Sequence, residues 1–190
     1  MDSYSYMWYN ENAEYVCKKT RWIVSLSGVQ GKGYQYMKAA IFTLDTESYR
    51  ARKASAAGVV LKKMLEQAGF ETAAVRVIPK DHKVAASVLK RVAEDHSADL
   101  VLTTGGVGYQ AGECASDALE EVAERLLPGI PEAMRGCLLS SSKSAMFNRS
   151  AAGICKQTMM INLPGDAKEA KDALEYLLPE LMQALESLNA

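Results

Sequence analysis

The sequence predicts an α/β domain, a largely parallel sheet with helices packed on it. Three observations carry that expectation. From Lys38 onward, apolar runs of strand length alternate with amphipathic stretches at helical spacing. Turn-forming residues such as Gly69 and Pro79 punctuate the runs. The apolar, β-branched segment from Asp99 to Thr103 then leads straight into Gly105 and Gly106. At 190 residues the chain suffices for one sizeable core and is short for two ordinary domains. The expected organisation is an aromatic-rich extension over residues 1–37 and one domain over residues 38–190.

The elements follow in order. Ala39 to Leu44 reads as the domain's first strand. Ala57, Val60, Leu61, Met64 and Leu65 recur at helical spacing, and Gly69 suits the left-handed turn that closes a helix. Thr72 to Ile78 supplies the next strand, ended by Pro79, and Val84, Val88, Leu89 and Val92 form one face of a second helix. After the Asp99 to Thr103 strand, a helix is expected from Ser116 to Leu126, its first half rich in acids that suit the positive end of the macrodipole. Pro128 and Gly129 break it, and another helix runs from about Ile130 to Leu138. A serine-rich turn and a less regular segment precede a last strand, Thr158 to Leu163. Asp166 and Glu169 then have capping-box spacing before a helix that Pro179 is expected to interrupt.

Composition narrows the function. Apolar residues make up 48% of the chain, charged ones 24%, and the net charge is −1, a profile that points to neither nucleic acid nor a disordered tail as the working part. No apolar run approaches the length of a membrane span, and the N-terminus lacks the order of a signal peptide, so a cytoplasmic protein is expected. Cys17, Cys114, Cys137 and Cys155 lie far apart without metal-ligand spacing, and a structural role suits them. His82 and His96 fall at expected helix ends. The first 37 residues hold six of the nine tyrosines and both tryptophans, with a strand-like run from Trp22 to Leu26. Their glycine run ends Gly31-Lys32-Gly33, without the hydroxyl residue that a phosphate loop places after its lysine to bind magnesium. A turn is the simpler reading there, and the aromatic arm suits packing on the core or on a neighbouring subunit.

In open α/β sheets, ligands bind beyond the carboxyl ends of the strands. Thr103-Thr104-Gly105-Gly106-Val107-Gly108 arrives there with two hydroxyls and three glycines, followed by Glu113 and a helix start. Glycines let the backbone approach an anion, and amides and hydroxyls donate to phosphate oxygens. A nearby carboxylate suits a metal ion bridging those phosphates. A tight structural turn would have the same composition.

Four blocks then occur in order: Thr103 to Gly108; Pro128-Gly129 with Glu132 to Arg135; Arg149 to Ile154; and Ile161-Asn162-Leu163-Pro164-Gly165. Their order and spacing resemble the MoaB/MogA family, which includes gephyrin G-domain-like proteins, and the resemblance covers about residues 38 to 188. It implies a three-layer α/β/α fold with a mostly parallel sheet, a homotrimer, and possible contact with other molybdenum cofactor biosynthesis proteins. The implied activity is transfer of AMP from Mg-ATP to the terminal phosphate of molybdopterin, in molybdenum or tungsten cofactor biosynthesis. By the same resemblance, Thr103, Thr104, Gly105, Gly106 and Gly108 form the phosphate cradle, and Asn148, Arg149 and Ser150 lie by the pterin. Pro164, Gly165 and Asp166 lie by the nucleotide, and Glu113, Asp81 and Asp45 are the catalytic acids, with Glu113 on Mg²⁺. Helix capping is an equal role for Asp81 and Asp166.

The sequence also departs from the family pattern. Val107 replaces a threonine, Glu113 an aspartate, and Asn148 a serine, while an acidic pair after the second strand reads Lys80-Asp81. All fall on the ligand side. A catalytically diverged protein that binds molybdopterin or a nucleotide is therefore the alternative to a transferase, and an assembly domain working through its aromatic arm is a third.

Overall fold

The computed structural model describes residues 7–9, 15–17, 23–24 and 37–189. The backbone forms two compact units, residues 1–35 and 36–190. In the first, β1 (Met7–Tyr9), β2 (Tyr15–Cys17) and β3 (Ile23–Val24) make a small antiparallel sheet in that order. Ile23–Val24 falls within the strand-like run read from the sequence. The glycine run at Gly28 to Gly33 and the packing of the aromatic arm lie outside the described residues.

The second unit is built on β4 (Lys38–Leu44), β5 (Glu71–Ile78), β6 (Leu100–Thr104), β7 (Arg125–Leu126), β8 (Ala152–Cys155) and β9 (Thr158–Leu163). Its six strands run in the order β5-β4-β6-β9-β8-β7. The first four are mutually parallel, and β8 and β7 close one side antiparallel. The helices are α1 (Thr46–Arg50), α2 (Ala56–Gln67), α3 (His82–Glu94), α4 (Ala115–Val122), α5 (Gly129–Leu139) and α6 (Ala167–Leu188), with a 3-10 turn at Lys143–Phe147.

Strand alternation sorts the core into two faces. Ala39, Ile41, Leu100, Leu102, Ile161 and Leu163 pack with Leu61 and Leu65 of α2, Met134 and Leu138 of α5, and Leu174 and Leu181 of α6. Ala40, Phe42, Leu44, Val101 and Met160 pack with Leu89 of α3 and Ala118 and Leu119 of α4. Both faces are thus covered, as a buried parallel sheet requires, and the fold is the expected three-layer α/β/α arrangement. No helix among the described residues is long and apolar enough to cross a membrane.

Four local expectations are corrected. The helix over Ser116 to Leu126 stops at Val122, because Arg125–Leu126 pairs with Gly153 and Ile154 as an edge strand. The less regular stretch before Thr158 contains β8, whose four residues are all buried. The core stripe of α3 is Ala85, Ala86, Leu89 and Ala93, which let the helix sit close to the sheet, while Val84 is exposed. Pro179 lies inside a continuous α6, where burial of Leu174 and Leu177 before it and of Leu181 and Leu185 after it offsets the roughly 3 kcal/mol cost of an internal proline.

Candidate functional site

The chain passes from β4 through α2 to β5 on one side of it, then through α3 to β6 on its other side. This reversal opens a crevice at the carboxyl ends of β4 and β6, the position where such sheets bind ligands. A cavity of about 700 Å³ lies there, bordered by Asp45, Lys80, the turn from Gly105 to Tyr109, Glu113, Asn148 and Pro164 to Ala167.

The glycine turn is shaped by its surroundings. Gly105 and Gly106 have φ of +83° and +74°, a region that other residues rarely adopt. A Cβ on Gly105 would also stand 2.9 Å from the Leu44 carbonyl oxygen. The Gly105 N–H donates to the Leu163 carbonyl at 3.2 Å, and the Ala115 N–H donates to the Gly106 carbonyl at 2.9 Å. The amides of Gly106 and Val107 have no protein acceptor among the described residues. Two residues that border the cavity thus carry backbone donors without a protein acceptor among the described residues.

Helix starts add to that potential. Ser55 and Ala56 at the start of α2, and Asp166 and Ala167 at the start of α6, border the same space. Each brings the positive end of a helix dipole toward an anion.

The structure divides the acids assigned from the sequence. Asp45 caps α1: one carboxylate oxygen accepts from the amides of Glu47 and Ser48, and the other accepts from the Ser48 hydroxyl at 2.6 Å. The Ser48 hydroxyl, with the amides and the Lys80 charge adding to it, holds the Asp45 carboxyl below its ordinary pKa. Asp81 caps α3 by accepting from the Val84 amide at 3.0 Å and does not border the cavity. Asp166 caps α6 through the amides of Lys168 and Glu169 and does border it. Glu113 accepts from Lys80 Nζ at 2.8 Å through one oxygen, and its other oxygen stands 3.4 Å from the Gly108 amide nitrogen.

Magnesium needs oxygen ligands, normally one or two carboxylates with substrate phosphates and waters. Here the Asp45 oxygens are committed to the first turn of α1, and an ammonium already sits against Glu113. Among the described residues, no three carboxylate, imidazole or thiol groups converge on a metal position. The residues present do not fit a Mg²⁺ site at Glu113.

Of the remaining assignments, Thr103 and Thr104 are buried, and neither borders the cavity. The Thr103 hydroxyl accepts from Asn162 Nδ2 at 2.6 Å, and the Thr104 hydroxyl donates to the Pro164 carbonyl at 2.6 Å. They brace β6 against β9 and its loop. The Asn148 side chain borders the cavity and accepts from the amide and hydroxyl of Ser150, which is itself buried. Arg149 turns outward to Asp117 of α4. Arg135 of α5 donates to the carbonyls of Asn148 and Ser150, fixing that loop from behind.

Sequence reasoning missed Lys80, Ser48, Tyr109 and Phe147 as cavity residues. Lys80 did show as a departure from an acidic pattern. The rings of Tyr109 and Phe147 lie 5.2 Å apart at the rim, and nothing in their one-dimensional spacing announces that pairing. His82 lies against Glu121 at the surface, and His96, with φ of +47°, follows α3; neither borders the cavity. Burial raises the pKa of the Cys114, Cys137 and Cys155 thiols, consistent with structural roles.

Fold and crevice define a doubly wound α/β protein with a cavity at the strand carboxyl ends. Residues 40–183 match the family described as a probable molybdopterin binding domain, and the chain belongs to that family. It is 32% identical over 133 residues to the molybdenum cofactor biosynthesis bifunctional protein of Chlorobaculum tepidum, covering 70% of this chain and 42% of that one. It is 37% identical over 100 residues to the molybdopterin adenylyltransferase of Escherichia coli K12, covering 53% and 51%. The chain thus spans about half the length of these curated relatives. Among solved structures, the molybdopterin biosynthesis enzyme MoaB of Thermus thermophilus superposes with a TM-score of 0.75 at 30% identity, over 80% of this chain and 96% of that one. The tungsten cofactor synthesizing protein MoaB of Pyrococcus furiosus shares the fold, with a TM-score of 0.73 at 20% identity, over 82% and 99%.

Proposed function

We propose that this protein binds molybdopterin, with the terminal phosphate of the ligand at the Gly105 to Gly108 turn, and serves assembly of a molybdenum or tungsten cofactor. The observation that carries the reading is the pair of free amides at Gly106 and Val107, set in a cavity that two helix starts also border. Asn148 and, at the rim, Tyr109 and Phe147 offer polar and aromatic surface to a flat pterin in the same cavity. Family membership supports the identity of the ligand.

Adenylyl transfer is the second reading. It is favoured by the Pro164 to Asp166 turn and the start of α6, which border the cavity beside the glycine turn and suit a second phosphate-bearing molecule. In that reaction a phosphate oxygen of molybdopterin attacks the α-phosphorus of ATP. A new P–O bond forms as the bond to the bridging oxygen breaks, and pyrophosphate leaves. The chain's own contribution would be to hold both phosphates in line and stabilise the developing charge with amides and the Lys80 ammonium. A homotrimer belongs to the same proposal and is measurable by sedimentation.

The test is a molybdopterin titration together with an assay for adenylyl-molybdopterin, run with ATP in the presence and absence of Mg²⁺. Binding with product supports both readings. Binding without product retains the first and removes the second. A failure to bind molybdopterin overturns both.

A further inference from the structure

We infer that Lys80 is the phosphate-binding cation of this cavity and takes the place of a divalent metal, so that phosphate oxyanions are held there by a metal-independent site. This rests on the reading that the cavity receives a phosphate-bearing ligand.

The inference starts from charge. Lys80 is the one lysine or arginine that borders the cavity among the described residues, whereas Asp45, Glu113, Asp166 and Glu169 all border it. Asp45 has both carboxylate oxygens in the first turn of α1, whereas Asp166 accepts both α6 amides through one oxygen, and it and Glu169 keep carboxylate oxygens without a protein partner among the described residues. A phosphate entering beside these four acids gains from a positive partner in addition to the amides and helix starts. A metal in the place of Lys80 would need free carboxylate oxygens beside it, and those of Asp45 and Glu113, the acids that Lys80 reaches, are engaged as described.

Position supports the same conclusion. The Lys80 ammonium stands 2.8 Å from Glu113 Oε1, with side-chain exposures of 34% and 16% for the two residues. Its charge also reaches Asp45. An ammonium has three donors, and Nζ has no second protein acceptor among the described residues. Two donors remain for a ligand. Glu113 reaches both Lys80 and the Gly108 amide, so it links the ammonium to the glycine turn whose Gly106 and Val107 amides are free. The local chain fixes the root of the side chain as well, because the Lys80 amide donates to the Thr46 hydroxyl at 2.9 Å.

The probe is inorganic pyrophosphate, titrated calorimetrically into the full chain in EDTA and again with excess Mg²⁺. Pyrophosphate is expected to bind in EDTA, and Lys80→Met is expected to weaken that binding by about tenfold or more, the loss typical of a charged hydrogen-bond partner. Lys80→Glu sets a second carboxylate beside Glu113 and is expected to bind only when Mg²⁺ is supplied. Both substitutions fall on a partly exposed side chain, and matching circular dichroism and denaturation midpoints would show that the fold is kept. Binding that requires Mg²⁺ in the unaltered protein, equal binding by Lys80→Met, or no binding in either condition would each overturn the inference. A parallel molybdopterin titration separates the two proposals. Molybdopterin bound while pyrophosphate requires Mg²⁺ removes only the role of Lys80; pyrophosphate held by Lys80 without molybdopterin binding removes only the pterin reading.

Discussion

A Cβ placed on Gly165 would stand 3.2 Å from the Cα of Gly105, so the loops leaving β6 and β9 touch backbone to backbone. The Thr104 hydroxyl, bonded to the Pro164 carbonyl, locks the same junction. Gly105 is the more constrained of the two, since it combines φ of +83° with the nearby Leu44 carbonyl. Gly105→Ala is therefore expected to cost about 2 kcal/mol or more, and Gly165→Ala about 1 kcal/mol, in urea denaturation. Gly105→Ala should also weaken molybdopterin binding by moving the Gly106 amide. An unchanged denaturation midpoint for Gly105→Ala would contradict the packing described.

Asp81 and Asp166 test capping against ligand contact. Both accept hydrogen bonds from first-turn amides, but only Asp166 borders the cavity. Replacing either by alanine is expected to cost about 1 kcal/mol of stability. Molybdopterin affinity should change in Asp166→Ala and stay at the native value in Asp81→Ala. A loss of affinity in Asp81→Ala alone would instead favour a role for Asp81 at the ligand.

The contrast between these aspartates shows where sequence reading works. Capping is local, and the spacing of Asp166 and Glu169 announces it; whether a cap also faces a cavity depends on the distant strands that carry it. The parallel core was legible for the same reason, because Ala39 to Leu44 and Thr158 to Leu163 are apolar runs that need no partner to be recognised. β8 was not: Ala152-Gly153-Ile154-Cys155 is a poor strand by composition and owes its state to pairing with β9. Gly153 is needed there because a Cβ would stand 2.7 Å from the Ala123 Cβ and 2.9 Å from the Arg125 carbonyl oxygen. The composition of the glycine loop suggests that its threonines are ligand donors, and their burial against Asn162 and Pro164 is a tertiary fact. Lys80 and Glu113 lie 33 positions apart, and only the fold brings them together.

Asp45 gives a pH prediction. Its carboxyl is held below the ordinary range by the Ser48 hydroxyl first, then by the amides of Ser48 and Glu47 and the Lys80 charge, against an opposing effect of burial. A carboxyl depressed in the folded state contributes stability above its unfolded pKa, about 3.9, and loses it as pH falls through the lower folded value. Stability should therefore fall on acidification below about pH 4, and fall less steeply in Asp45→Asn, which lacks the titrating group. Urea midpoints for both proteins at pH 7 and across the acid range provide the comparison, and parallel acid limbs would remove Asp45 as a contributor.

Glu113 offers the sharpest division between a metal ligand and a partner of Lys80. If its carboxylate held a magnesium ion on bound phosphate, Glu113→Gln would weaken phosphate binding, because the cation would lose its protein anchor. The observed pairing implies the reverse. Glu113 takes one of the three Lys80 donors and partly neutralises its charge beside the phosphate position, and glutamine keeps the shape and an acceptor for the Gly108 amide while removing that negative charge. Pyrophosphate affinity in EDTA is thus expected to rise severalfold in Glu113→Gln, with little change in the denaturation midpoint. Adding Lys80→Met to that variant should abolish the gain, since the two side chains act through one contact. A drop in affinity for Glu113→Gln that persists in the double variant would instead assign the carboxylate a role of its own toward the ligand.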